Sequence, residues 1–269
     1  MGDPADKMAG MPPRFRSPPA WIWLALVVLL AAFLHGAWAS GLTPEALWNG
    51  LPKVLDFLGR AFPPSTERLD AIAAATLETF EMAVVGTTIG VLLSLPLAFA
   101  AASNTTPHRL FYAAARGMIA VMRAIPDIVW ALLFIVFVGL GPKAGILAIA
   151  IDTMGFCGRF FAERVEEIDN ALLEALRSTG SSESGVIASG ILPTVMPSFV
   201  ATTMFNLEQQ VRTATALGIV GAGGIGVELS TAMTLFRYEE ALTIIIVMFT
   251  IVITVERVSS MIRTQLIGR

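Results

Sequence analysis

Two arginines, Arg123 and Arg212, fall inside long apolar stretches of the sequence. An ionised side chain at membrane depth costs about 2.5–3.5 kcal/mol even on an insertion scale, so it faces protein or a water-filled path and has a partner. Two chemistries fit. One is a structural ion pair, with Glu78, Glu81, Asp127, Asp152 and Glu208 as candidate carboxylates near the same depth. The other is a route for an anion, because a planar guanidinium matches two oxygens of an oxyanion at once. The residues leave both open.

A glycine-rich run offers a second source of anion chemistry. Gly221, Gly223 and Gly226 satisfy G-x-G-x-x-G, but a dinucleotide site needs that pattern between a strand and a helix. Here it follows an apolar segment of spanning length, which excludes that use. Glycines at this density permit positive φ and close backbone approach, so a tight re-entrant turn is the default. A sharper expectation is that freed N–H groups around Gly221, Gly223 and Gly224 face a pore and assist an oxyanion, as backbone nests do.

Other chemistries find no support. His35 and His108 are far apart in the chain, and the single Cys157 has no partner for a disulfide and no zinc-ligand spacing around it. No G-x-S-x-G elbow and no G-x-x-x-x-G-K-[ST] phosphate loop occurs, so a P-loop nucleotide site is absent from the sequence. Basic residues form no face for nucleic acid.

The elements that must position the arginines are set by composition. Of 269 residues, 55% are hydrophobic and 14% charged, with a mean hydropathy of +0.72. Soluble domains carry about 25% charged residues, so the chain reads as all-α and polytopic in a lipid bilayer. Residues 1–20 form a polar tail. Residues 21–40 hold a first transmembrane helix, flanked by Trp21, Trp23 and Trp38 as interfacial anchors; a cleaved signal peptide is the rival reading. Residues 41–69 form an extracytoplasmic connection with a short amphipathic helix through Leu47, Leu51, Leu55 and Leu58. Five further spans are expected at about 71–102, 110–140, 144–161, 194–219 and 240–262, with Pro96 able to kink the second.

With the N-terminus inside, eleven Lys and Arg lie on the inner side and five on the outer. The positive-inside rule then places both termini, and the loop 166–193, in the cytoplasm. That loop is polar and rich in small residues. Asp169 or Asn170 caps a helix to Ser178 with Ala171, Leu172, Ala175 and Leu176 as its apolar face. Gly180 breaks it, Ser181 or Ser182 caps a second short helix, and Pro193 opens the next span.

The spacing within this loop, Glu174-Ala175, Gly180 and Leu192-Pro193, resembles the EAA motif of binding-protein-dependent ABC importer permeases of type I. Two positions depart from it. Leu176 stands where a second Ala is usual, and Gly190 where Ile is usual. The run SGILP at 189–193 resembles the phosphonate-importer permeases in particular, as do ALGIVGAGGIG at 216–226 and RAIPDIVWALLF at 123–134.

This resemblance covers about residues 70–265 and implies a permease core of the type I importer fold. It implies a coupling role for Glu174, Ala175, Gly180, Leu192 and Pro193 against a pair of cytosolic ABC ATPase subunits. Those subunits would bind ATP and Mg, with no cofactor or metal in this chain. It further implies an extracytoplasmic substrate-binding protein, a second copy of the chain and a bacterial inner-membrane location. The expected cargo is phosphonate or a related phosphorus oxyanion such as phosphate or phosphite. Methionine or another small solute is the alternative cargo, and an ion-coupled secondary transporter the alternative class.

Overall fold

The computed structural model describes residues 19–267, and every regular element among them is a helix. The expected tail lies almost wholly outside the described residues. The chain divides into two units, Met1–Gly59 and Arg60–Arg269. In the first, α1 (Ala20–Ala39) is apolar on all sides and buries no residue, as a helix made for lipid does. Helix α2 (Pro44–Ala61) carries Leu47, Leu51, Val54, Leu55 and Leu58 at helical spacing, all exposed, and continues through Pro52.

The second unit is built on α3 (Leu69–Ala101) and α6 (Pro142–Glu166). Small residues let them approach closely, as membrane helices require where lipid supplies no drive to associate. A side-chain carbon on Gly90 would lie 2.5 Å from Thr153 Cβ and 2.6 Å from the Ala150 carbonyl oxygen, so only hydrogen fits there. Helix α3 has 33 residues, about 50 Å at 1.5 Å per residue, which exceeds a bilayer core of ~30 Å. Pro96 lies within it and the helix continues past it.

The single span expected at 110–140 is instead two helices, α4 (Arg109–Ala124) and α5 (Asp127–Val138), bent by 92° at the break. Pro126 is the cause: it lacks an N–H and forces the residue before it out of the helical region. Ile125 accordingly has φ −93 and ψ 122. Trp130 stitches the corner by donating its ring N–H to the Met122 carbonyl at 3.3 Å.

After α6 come α7 (Asn170–Ser178), α8 (Glu183–Val186), a π-helical turn at Ile187–Ile191, and α9 (Leu192–Ile219), the last three running on without a break. A glycine loop leads to α10 (Ile225–Thr234) and then α11 (Tyr238–Ile267). Helix α10 was not expected. A side-chain carbon on Gly226 would lie 2.1 Å from the Thr215 carbonyl oxygen, so α10 folds back hard against α9. Among the described residues, five helices are long and apolar enough to cross a membrane, and six segments are if α4 and α5 count as one span. The protein is a multi-pass membrane protein.

Candidate coupling site and membrane path

The loop between α6 and α9 is packed into the bundle. Asp169 caps α7 by accepting the Ala171 N–H at 2.9 Å, and Ser182 does the same for α8 from Gly185 at 3.2 Å. Each satisfies an orphan N–H of a helix start. Gly180 links the two at φ +83 with open space around it. The buried face of α7 differs from expectation: Leu173 is buried and Leu176 half-buried, whereas Ala171 and Ala175 are exposed and the Leu172 side chain lies outside the described ones. The cap at Asp169 fixes where this nine-residue helix begins, and packing against the bundle core turns Leu173 inward.

Leu173, Val186 and Ile191 join one core with Leu97, Ile119, Phe161 and Phe199, drawn from α3, α4, α6 and α9. Within it Phe161 and Phe199 stack at 4.0 Å between ring centroids and 15° between planes. The loop is thus joined to four helices through close-packed side chains, the kind of contact through which protein interiors transmit strain. Glu174, Ala175 and Pro193 lie exposed on the outside of this knob, with Leu192 half-buried.

The two arginines separate. Arg212 has its carboxylate: it donates to Glu208 at 2.6 Å and to the Gln209 side-chain oxygen at 2.8 Å, with Glu256 at 3.7 Å. Arg263 meets the other Glu208 oxygen at 3.5 Å, so one buried carboxylate holds two cations between α9 and α11. Arg123 sits at the end of α4 beside the Pro126 break, exposed rather than enclosed in a continuous span. Its depth is set by packing against the middle of α6, where Gly155 faces Met122 and Arg123. Among the described residues its recorded partners are two aromatic faces, Phe156 at 5.7 Å and Phe160 at 5.9 Å.

Beside it, buried polar groups cross the bundle. Gln210 donates to Asp152 at 2.6 Å, and Asn206 donates to Thr153 at 2.8 Å. Both tie α9 to α6 through charge-assisted or buried hydrogen bonds, which are strong where water is absent.

The glycine loop is held differently from the open nest expected. Gly221, Gly223 and Gly224 do adopt positive φ (+92, +92 and +74), but the N–H groups of Gly221 and Gly224 already have acceptors within the protein. Gly221 donates to the Gly218 carbonyl at 2.9 Å, Gly224 to Glu78 Oε1 at 3.2 Å, and Ile225 to Thr79 Oγ1 at 2.7 Å. A carboxylate and a hydroxyl of α3 thus clasp the loop, and the Gly221 carbonyl accepts the Gly141 N–H at 3.0 Å from the start of α6. At the same end Arg68 pairs with Glu228 at 3.1 Å and with Glu240. The carboxylates of Glu228 first, then Glu240, push its guanidinium pKa further up.

Comparison with known proteins accounts for this assembly of parts. Residues 94–266 match the family described as binding-protein-dependent transport system inner membrane component. The chain is 35% identical to the phosphite transport system permease protein PtxC of Stutzerimonas stutzeri over 88% of this chain and 85% of that one. It is 38% identical to the phosphate-import permease protein PhnE of Mycolicibacterium smegmatis over 88% of this chain, which spans 44% of that longer protein. The fold matches that of the MetNI methionine ABC transporter in inward-facing form at a TM-score of 0.67 and 20% identity, covering 75% of this chain and 99% of that one. The matched region takes in the π-helical turn, the glycine loop and every helix from α4 to α10, and the chain belongs to the family of binding-protein-dependent ABC transporter permeases.

Proposed function

We propose that this chain is the membrane permease subunit of an ATP-driven importer for a phosphorus oxyanion: phosphonate, phosphite or phosphate. The observation that carries the coupling part of this reading is the knob of α7, α8 and the π-helical turn, whose Leu173, Val186 and Ile191 are built into the bundle core. A loop that only connected two spans would have no need of four-helix anchorage. In this reading the knob lies in the cytoplasm, both termini lie there too, and the exposed Glu174, Ala175, Gly180 and Pro193 meet a cytosolic ATPase subunit. ATP and Mg are bound by that partner. Two copies of the chain enclose the route, an extracytoplasmic binding protein delivers the solute, and the complex sits in a bacterial inner membrane.

Closure of the ATPase pair brings the two knobs together. Because the knob shares a core with α3, α4, α6 and α9, those helices move as a rigid body and switch access from one side to the other. Phosphorus chemistry is favoured by the phosphite and phosphate permeases the chain resembles along most of its length.

Reconstitution with candidate ATPase and binding-protein partners tests the reading. Phosphite, phosphonate or phosphate, delivered with the binding protein, is expected to stimulate ATP hydrolysis and enter the vesicle. Stimulation by methionine and by none of these would assign the cargo elsewhere, and transport driven by an ion gradient without nucleotide would overturn the class.

A further inference from the structure

A groove of about 500 Å³ runs between α6 and α9 on the face beside Arg123. Helix α6 contributes one side chain per turn, and α9 contributes a hydroxyl stripe flanked by the apolar Pro197 and Ala201. From α6 come Phe156, Phe160 and Arg164, and from α9 come Thr194, Ser198 and Thr202, both sets at i, i+4 and i+8. Thr194 donates to the Gly190 carbonyl at 2.8 Å, so the groove begins at the knob. From Thr194 to Phe205, which closes the far end, α9 advances about 16 Å, roughly half a bilayer core.

The electrostatics of this groove are unbalanced. Arg164 has Glu167 at 2.5 Å, and Arg263, which lies over Phe205, has Glu208. Arg123 lies over two of the lining rings, and no carboxylate partner is recorded for it among the described residues. A cation at membrane depth ordinarily has a counter-ion, and aromatic faces replace only part of one. Ser198 and Thr202 likewise have no recorded hydrogen-bond partner among the described residues, although a hydroxyl in a helix readily bonds back to the preceding turn. A guanidinium edge and two hydroxyls left without partners are what a solute rich in acceptor oxygens requires.

We propose that this groove is the knob-side stretch of the translocation route, and that Arg123, Ser198 and Thr202 guide a tetrahedral phosphorus oxyanion along it. The assignment rests on the reading of the chain as an oxyanion permease. Phe156 and Phe160, tilted at 46° to one another, lie against Arg123, and one guanidinium with two hydroxyls attracts the anion without caging it, so that it is also released, which conduction demands. Proximity to the knob gives the motion of the ATPase a direct effect on the width of this passage.

Cysteine labelling tests the face and transport tests the role. The one native cysteine, Cys157, is buried, so Ser198→Cys and Thr202→Cys in the full complex report on the groove with little background. A charged, membrane-impermeant thiol reagent is expected to modify both, and phosphite to slow the reaction. In the same complex Arg123→Gln is expected to lower phosphite uptake roughly tenfold or more, the scale of one lost charge-assisted hydrogen bond, with Arg123→Lys recovering part of it. Modification by a lipid-soluble maleimide but not by the charged reagent means that the groove faces lipid, and overturns the proposal. Labelling indifferent to phosphite in a complex that transports phosphite overturns the groove assignment alone. A wild-type complex that moves no phosphorus oxyanion overturns the functional reading and this assignment with it.

Discussion

The Leu176 side chain occupies the space that a side chain at position 190 would need: a carbon added to Gly190 would lie 2.3 Å from Leu176 Cδ1. These are the two positions at which the loop departs from the EAA pattern, so the departures form one exchange in which bulk has moved from the π-helical turn to α7. The junction between the two short helices stays filled. A π-helical turn often marks a functional position, and here it lies where the knob passes into α9.

The exchange predicts a double-mutant result. Gly190→Ile alone overpacks the junction and is expected to cost about 1–3 kcal/mol, lowering the melting temperature of the solubilised protein. Leu176→Ala alone leaves a gap beside Gly190 and also destabilises. Together they are expected to recover most of the loss, with a coupling of about 0.5–3 kcal/mol. Additive losses would mean that the two side chains do not share the space.

Gly180 is the joint between α7 and α8, and its requirement is conformational. No atom lies within 4 Å of an added carbon, yet φ is +83. Gly180→Val is therefore expected to strain the turn by about 1–3 kcal/mol and to turn α7 relative to α8, leaving the bundle folded while uptake per ATP hydrolysed falls. Gly180→Asn, which visits the left-handed region at lower cost, is expected to retain coupling. Parallel measurement of ATP hydrolysis and uptake in vesicles separates the two variants; equal coupling in both would remove Gly180 from the transmission path.

Phe199 is where α9 meets the knob's core, stacked on Phe161 and 3% exposed. Phe199→Ala is expected to cost about 3–5 kcal/mol, read as a lower melting temperature. Phe199→Leu keeps most of the volume, and is expected to cost less and to preserve uptake. Similar losses for both would mean that ring stacking rather than filled volume makes the link.

At the opposite end, the clasp on the glycine loop has a specific geometry to test. Thr79 is buried, and its hydroxyl receives the Ile225 N–H. Thr79→Val keeps the shape and strands that N–H, at about 1–3 kcal/mol, whereas Thr79→Ser is expected to be close to neutral. Melting temperature decides between them. If Thr79→Val instead impaired uptake at unchanged stability, the loop would act on the solute rather than on the fold.

How far the sequence reveals these arrangements depends on the length scale of each signal. Spans such as α3 and α11 are legible because about twenty apolar residues have few alternatives. The break at Pro126 has Arg123 and Asp127 beside it, but the long apolar runs beyond them make hydropathy see one segment where only proline's missing N–H sees two. Helix α10 has ten residues, too few for a span signal, and begins in glycines that read as loop. In the knob, Asp169, Gly180 and Ser182 declare caps and a break locally, but the burial of Leu173 over Ala175 depends on a nine-residue phase that tertiary packing decides. The hydroxyls of Thr194, Ser198 and Thr202 are readable as a stripe at intervals of four, while the groove opposite them needs α6.

Arg212 and Glu208 are four residues apart in α9, and that spacing gives the pair its meaning. Arg212 is half exposed, so its direct attraction is worth little, about 0–1 kcal/mol for an exposed pair. Glu208 is 7% exposed, and losing its nearer cation leaves a buried carboxylate with Arg263 alone at 3.5 Å. The larger penalty falls on the partner left behind. Arg212→Gln is expected to lower the melting temperature, and Glu208→Gln in the same chain to restore part of it by removing the stranded charge. If Arg212→Gln left stability unchanged and abolished uptake, the arginine would belong to the solute route rather than to the α9–α11 contact. Melting temperature and uptake measured on the same preparations distinguish these outcomes.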